Sequence, residues 1–245
     1  MMPSPLPECS NERALRVGGM TRFTNIDYPH KLAAVVFVQG CPWRCGYCHN
    51  PHLQPRQFDE REPARDWTEV VAWLRSRIGL LDAVVFSGGE PTMDPALPGA
   101  IADVRQLGFD VALHTAGIYP RRLGAVLPLL DWVGVDVKAP LDADARYDAI
   151  VGARGSVRRV RDAVRMVLDS GVPCEFRTTA APQWLADEEL LRLASSLANL
   201  GASVYALQLA RPAGPGRVPS AAEYPSVETL EQLGEMFATF ILRRS

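Results

Sequence analysis

Apolar and polar residues along this chain follow two alternating periods. Short runs rich in Val and aromatic residues, each ending in turn residues, recur six times: AAVVFVQG (33–40), DAVVFSGG (82–89), FDVALHTAG (109–117), DWVGVDVKAP (131–140), VPCEFRTTA (172–180) and ASVYALQLA (202–210). Their length and composition predict strands. Between them, apolar positions recur every three or four residues over roughly 66–79, 95–107, 119–130, 155–170 and 187–200, with a last such segment near 226–243. That is the period of an amphipathic helix. Strict β/α alternation predicts a parallel sheet. Six repeats fit an open doubly wound sheet or an incomplete (β/α) barrel, and periodicity alone does not separate the two.

Strand faces add information. In VGVDVK, residues Val133, Val135 and Val137 share one face, and Gly134, Asp136 and Lys138 share the other, because side chains alternate along a strand. The same split places Ala112 with His114, Glu175 with Arg177 and Thr179, and Ala206 with Gln208. Polar groups therefore collect near the carboxyl ends of successive strands, where α/β sheets and barrels bind ligands. Burying such charges is expensive unless they pair or meet a charged ligand. A ligand carrying both an ammonium and a carboxylate suits that interior, and an internal ion-pair network is the competing reading.

Composition narrows the class. Of 245 residues, 47% are hydrophobic, enough for a sizeable core, and the formal net charge of −2 offers no electrostatic footprint for nucleic acid or an anionic membrane. No apolar run approaches the roughly 20 residues that span a bilayer, and MMPSPLPECSNER lacks the features of a secretory signal. The expected address is the cytoplasm. Residues 1–14 read as a disordered lead-in and 15–245 as one domain, with RPAGPGRVPSAAEYPS (211–226) a long loop that serves as a lid or docking edge.

Five cysteines, three of them in QGCPWRCGYCHNPHL (39–53), do not form a disulfide framework. Cys41, Cys45 and Cys48 are soft ligands suited to iron-sulfur clusters, zinc or copper(I). Structural zinc needs four ligands, and the only nearby additions are His49, adjacent to Cys48, and His52, with no second knuckle following. A cubane cluster held by three thiols keeps one iron open to an amino nitrogen and a carboxylate oxygen.

Cys41-x3-Cys45-x2-Cys48, in a loop directly after the first of the predicted strands, resembles the cluster motif of radical S-adenosylmethionine (SAM) enzymes. The resemblance covers about residues 15–245. It implies a partial (β/α)6 barrel, in agreement with the strands read independently. It also implies a [4Fe-4S] cluster whose open iron is chelated by SAM, and reductive cleavage of SAM to methionine and a 5'-deoxyadenosyl radical. Tyr47 matches the position packed beside the adenine. FSGGEPTMDPAL adds a second match: Ser87, Gly88 and Gly89 let the backbone approach the cofactor, and the Gly-Gly-Glu90-Pro91 motif receives the SAM amino group. By the same resemblance, His114 and Thr115 line the SAM pocket, Arg177 contacts its carboxylate and Gln208 closes on the nucleoside. Asp136 and Lys138 organise the reacting centre.

YCHNP, together with TNIDYPHKLAAVVFVQGCPWRCGYCHNPHL, resembles the activating enzymes of glycyl radical enzymes, especially the anaerobic ribonucleoside-triphosphate reductase activating proteins. The implied partner is a large enzyme that receives a backbone glycyl radical, and the implied electron donor is a flavodoxin or ferredoxin. The chain departs from the pattern at His30, where Gly is expected, and at Ala116, where relatives often carry Asn. It lacks inserted ferredoxin-like clusters, and Cys9 and Cys174 cannot supply one; Cys174 reads as a buried strand residue. Two alternatives stay open. One is a small-molecule radical SAM enzyme such as a 7-carboxy-7-deazaguanine synthase, against which the YCHN sequence argues. The other is a zinc-stabilised non-catalytic module.

Overall fold

The computed structural model describes residues 14–57, 65–210 and 224–244. Cys9 and most of the expected 211–226 loop lie outside them.

The six predicted strands are all present and parallel: β2 (Ala33–Val38), β3 (Ala83–Gly88), β4 (Asp110–Thr115), β5 (Trp132–Asp136), β6 (Cys174–Ala180) and β7 (Val204–Leu209). Two further strands complete an eight-stranded sheet in sequential order. β1 (Val17–Thr24) pairs antiparallel with β2, and β8 (Thr239–Arg243) pairs parallel with β7. Neither was expected. In β1 the Gly18-Gly19 pair and a half-exposed polar edge mask the alternation, and β8 falls inside the segment read as the last helix. That helix, α7 (Val227–Met236), stops where Phe237 turns extended at φ −128° and ψ 147°. The β-branched run after it then docks on β7.

The helices α1 (Trp67–Arg75), α2 (Leu97–Gln106), α3 (Pro120–Val126), α5 (Ser156–Ser170) and α6 (Asp187–Asn199) fall in the predicted segments. The 119–130 segment is α-helical only to Val126 and finishes as a 3-10 turn, Leu127–Leu129. α4 (Asp144–Val151) was not predicted; its inward positions are few, Tyr147, Ile150 and Val151, and they crowd its last turns.

Strand faces sort as the alternation requires. Val84, Phe86, Leu113, Val133, Val135, Phe176, Tyr205 and Leu207 pack outward against the helices in the main core. The inward face is closed below by a smaller cluster of Tyr28, Ala33, Val35, Ala83, Val85, Ala112 and Trp132. Tyr28 stacks on Trp132 with ring centroids 5.5 Å apart, and Trp132 meets His114 edge-on at 5.7 Å. Burial of these rings plugs the amino end of the sheet and leaves its carboxyl end to polar groups. The architecture is the partial, TIM-like barrel rather than the open doubly wound sheet. No helix of the described residues is long and apolar enough to cross a membrane.

Candidate active site

A cavity of about 280 Å³ opens at the carboxyl ends of the strands. Thirteen of the fourteen residues singled out from the sequence line it: the three cysteines, Tyr47, Ser87, Gly88, Gly89, His114, Thr115, Asp136, Lys138, Arg177 and Gln208. The exception is Glu90.

The cysteine loop is pinned at its base. Gly40 N–H donates to the Leu53 carbonyl at 2.8 Å and Cys41 N–H to Gln54 at 2.9 Å, so the chain leaves β2 and returns to it. Gln39 ties the return down, donating to the carbonyls of His52 (3.0 Å) and Pro55 (2.7 Å). The end of β3 packs directly on this base. Gly89 N–H donates to Val38 and Glu90 N–H to Gly40, both at 2.9 Å. A Cβ on Gly89 would sit 2.3 Å from the Gly40 carbonyl oxygen, and one on Gly88, at φ +116°, would sit 2.4 Å from Val38 N. The Gly-Gly pair is thus required by the approach of the cysteine loop itself, as well as by the cavity it lines.

Glu90 is fully buried and turned away from the cavity. Its carboxylate accepts from Thr92 N and Oγ1 (3.1 and 2.5 Å), Thr115 Oγ1 (2.7 Å) and Ala116 N (2.9 Å). Its side chain therefore knits the β3 and β4 ends together, and what this motif offers the cavity is glycine backbone.

Two elements that the sequence did not flag brace the loop from outside. Trp43 packs edge-on against Tyr147 of α4 at 6.0 Å, and the Tyr147 hydroxyl accepts from Lys138 N–H at 3.2 Å. Trp184, after β6, meets the Tyr47 ring at 5.9 Å and lies so close to Gly46 that a Cβ there would be 2.4 Å from its ring. Aromatic residues outside any strand carry no periodic signal, which is why neither was found. Asp27, from the β1–β2 connection, also lines the cavity.

The charged groups form a connected set. Asp136 accepts from Arg177 Nε at 2.9 Å through one oxygen and lies 3.9 Å from Lys138 Nζ through the other. Burial opposes its charge, but Arg177 and Lys138 prevail and hold the carboxyl below its usual range. One carboxylate between two cations leaves a positive excess, suited to an anionic ligand group. Lys138 Nζ lies 5.7 Å from the centroid of the Tyr47 ring. Burial and the neighbouring Arg177 push His114 down to about 3, so its imidazole is neutral at physiological pH. Its Nε2 lies 2.7 Å from the Asp27 carbonyl and 3.2 Å from Arg177 Nη1; the carbonyl can only accept, so the shorter contact puts the proton on Nε2, and in that tautomer the arginine contact is not a hydrogen bond. Glu175, which shares the inward face, does not line this cavity; it is capped bidentately by Arg243 of β8 at 2.6 and 2.8 Å.

The thiols fit a cluster better than a single ion. Cys41, Cys45 and Cys48 are free and open into one cavity, yet among the described residues no three His, Cys, Asp or Glu side chains converge as a single metal site demands. Ligation of a cubane, one thiol per iron, spreads the sulfurs apart. Burial pushes the Cys41 thiol up to about 12; a cluster held there would supply the positive charge that favours the thiolate. Cys174 begins β6 half-buried, lining a separate cavity of about 520 Å³ near the amino ends of β5 to β8.

The Radical SAM superfamily model matches residues 35–200. The chain belongs to the radical SAM superfamily. A Methanocaldococcus jannaschii protein whose name marks it as a candidate glycyl-radical enzyme activating enzyme is 30% identical over 203 residues, 80% of each chain. Pyruvate formate-lyase-activating enzyme of Clostridium pasteurianum is 30% identical over 174 residues, 69% of this chain and 71% of that one. QueE from Escherichia coli shares the fold with a TM-score of 0.58 at 17% identity, over 95% of this chain and 94% of that chain. As a radical SAM enzyme, the protein uses a [4Fe-4S] cluster and S-adenosylmethionine.

Proposed function

We propose that this protein is an activase that installs a glycyl radical on a partner enzyme, and that the partner is an anaerobic ribonucleoside-triphosphate reductase. The observation that carries the activase reading is the likeness to activating enzymes across most of both chains. The cavity supports it. Among the described residues it opens outward at the carboxyl ends of the strands, an opening through which a partner's loop can be presented. The finer choice of partner rests on the YCHNP continuation of the cysteine loop.

In this reading Cys41, Cys45 and Cys48 hold the cluster, and Gly88 and Gly89 offer backbone to the amino end of SAM. The excess positive charge at Arg177 and Lys138 takes its carboxylate. Tyr47, His114, Thr115 and Gln208 enclose the nucleoside, and Ser87 lines the wall between. When bound, the cluster and SAM together supply one-electron reductive cleavage and the hydrogen-abstracting power. Asp136 keeps Arg177 and Lys138 charged and oriented, and the apolar plug of Tyr28 and Trp132 excludes water from below. Residues 15–245 work as one domain, in the reducing cytoplasm where free thiols persist.

The test is anaerobic reconstitution with iron and sulfide, then reduction with SAM and either the reductase or pyruvate formate-lyase, read by electron paramagnetic resonance. A glycyl doublet on the reductase alone is expected. A doublet only on the lyase moves the partner; SAM cleavage without any doublet returns the protein to small-molecule chemistry. Lys138→Ala is expected to weaken SAM binding, and unchanged affinity and turnover would remove its role.

A further inference from the structure

Tyr47 lines the active-site cavity, yet nothing holds its ring by the polar tip. Its hydroxyl is buried and has no hydrogen-bond partner among the described residues. The tilt of the ring is therefore set by what packs against it. Lys138 Nζ stands 5.7 Å from the ring centroid, and the indole of Trp184 meets the ring edge-on, with centroids 5.9 Å apart and planes at 65°. The same indole backs the neighbouring peptide: a Cβ on Gly46 would lie 2.4 Å and 2.5 Å from two of its ring carbons. Trp184 itself does not line the cavity. Any effect it has on a ligand passes through Tyr47 and Gly46.

The indole is presented by a turn that is tied on every side. After β6, Trp184 N–H and Leu185 N–H both donate to the Ala181 carbonyl, at 2.9 and 3.0 Å, and the Tyr224 hydroxyl donates to the Leu185 carbonyl at 2.5 Å. Arg146 of α4 donates through Nη2 to the Trp184 carbonyl at 2.6 Å. The same guanidinium grips Glu189, in the first turn of α6, with Nε at 2.7 Å and Nη2 at 3.1 Å. Glu189 returns to the turn by accepting from Ala186 N–H at 3.0 Å. Arg146 and Glu189 thus hold the turn together, using a forked geometry that a lysine lacks. A partly exposed ion pair contributes little stability by itself. What this one adds is a fixed pose for a side chain that stands against the cysteine loop.

We propose that Trp184 is the positioning residue for Tyr47, and that Arg146 and Glu189 key it in place. The indole fixes the tilt of the Tyr47 ring before a ligand arrives, so the wall for the nucleoside is preformed. Preorganisation of this kind raises affinity by removing an ordering cost from binding. The inference rests on the reading of Tyr47 as part of the nucleoside wall and on no choice of partner enzyme, so it and the activase reading fail separately.

The test measures SAM affinity by equilibrium dialysis on the full reconstituted chain, anaerobically and with the cluster left oxidised so that no SAM is cleaved. Methionine, which lacks the nucleoside, is the control ligand. Trp184→Ala is expected to weaken SAM binding about fivefold, within the range of an aromatic pair, and to leave methionine affinity and iron and sulfide content at parent level. Tyr47→Ala is expected to weaken SAM binding at least as much. The double variant is expected to be no weaker than Tyr47→Ala alone, because residues that act as one unit are not additive. Trp184→Phe, which keeps a ring edge, recovers most of the loss. Should Trp184→Ala fold poorly, Arg146→Ala leaves the ring in the chain and is expected to weaken SAM binding about threefold, again only while Tyr47 is present. Losses that add in the double variant overturn the proposal, as does an equal loss of methionine affinity. So does unchanged SAM affinity in Trp184→Ala and Arg146→Ala beside a weakened Tyr47→Ala. Unchanged SAM affinity in Tyr47→Ala is a distinct result: it removes Tyr47 from the nucleoside wall and the proposal with it.

Discussion

Replacing Gly89 by alanine tests whether contact between the β3 end and the cysteine loop builds this site. The added methyl would lie 2.3 Å from the Gly40 carbonyl oxygen, 2.6 Å from its carbon and 2.9 Å from the Leu53 carbonyl oxygen. All three are backbone atoms of the loop base, so no side chain can rotate away. Relief requires the loop to move off β3, which stretches the Gly89 to Val38 and Glu90 to Gly40 hydrogen bonds. Overpacking a close contact costs about 1–3 kcal/mol, and weakening one such hydrogen bond adds about 1 kcal/mol. The expected loss is therefore about 2–4 kcal/mol of unfolding free energy, together with reduced cluster loading because the cysteines ride on the displaced base. Gly99, in α2 with nothing within 4 Å of its Cβ position, is the control; alanine there should gain about 0.5–1 kcal/mol by helix propensity. Urea denaturation of the two variants, with iron and sulfide counted after anaerobic reconstitution, gives both quantities. A Gly89→Ala protein as stable as the parent and fully loaded with cluster would refute the packing argument.

Three further outcomes follow from the same geometry. Cys45→Ala should keep the fold, since the residue sits in a loop, yet lose most iron, sulfide and SAM cleavage; full activity in that variant would defeat the cluster assignment. His114 is held neutral well below its ordinary 6.5, so unfolding takes up a proton as pH falls from about 6.5 toward 3, and stability drops over that window by up to about 1.4 kcal/mol per pH unit. His114→Gln, which keeps a donor for the Asp27 carbonyl, should flatten this acid limb in denaturant titrations, and an unchanged limb would exclude His114 as its source. Glu175→Gln removes the charged partner of Arg243 from a buried position and should cost about 2–3 kcal/mol. Hydrogen exchange at residues 239–243 should then rise, and unaltered protection there would show that the pair does not anchor β8.

Much of the site was legible from the chain because its residues sit where two short periods end. Asp136 and Lys138 share a strand face by alternation, as do Arg177 and Thr179, and parallel pairing in register brings those faces together at the carboxyl ends. Glu90 illustrates the limit. Its motif places it at the end of β3 among the cofactor-binding candidates, but the folded positions of Thr92, Thr115 and Ala116 direct its carboxylate away from the cavity. α4 was illegible because its inward residues crowd one end, and β8 because FATFILRR satisfies a helical period as well as a strand's. The docking of that last run on β7, with Arg243 reaching Glu175, depends on a partner 68 residues away.

By itself, then, the sequence determined the parallel β/α order, the three-thiol loop and the polar carboxyl edge, all of which rest on local spacing and side-chain alternation. Tertiary structure alone decided how that loop is held: Tyr147 and Trp184 brace it, Gly88 and Gly89 admit its base, and Asp27 fixes the donor on His114. The physical reason is range. Periodicity encodes which face a residue presents, whereas these contacts are set by the steric fit and hydrogen bonding of segments that meet only when the barrel closes.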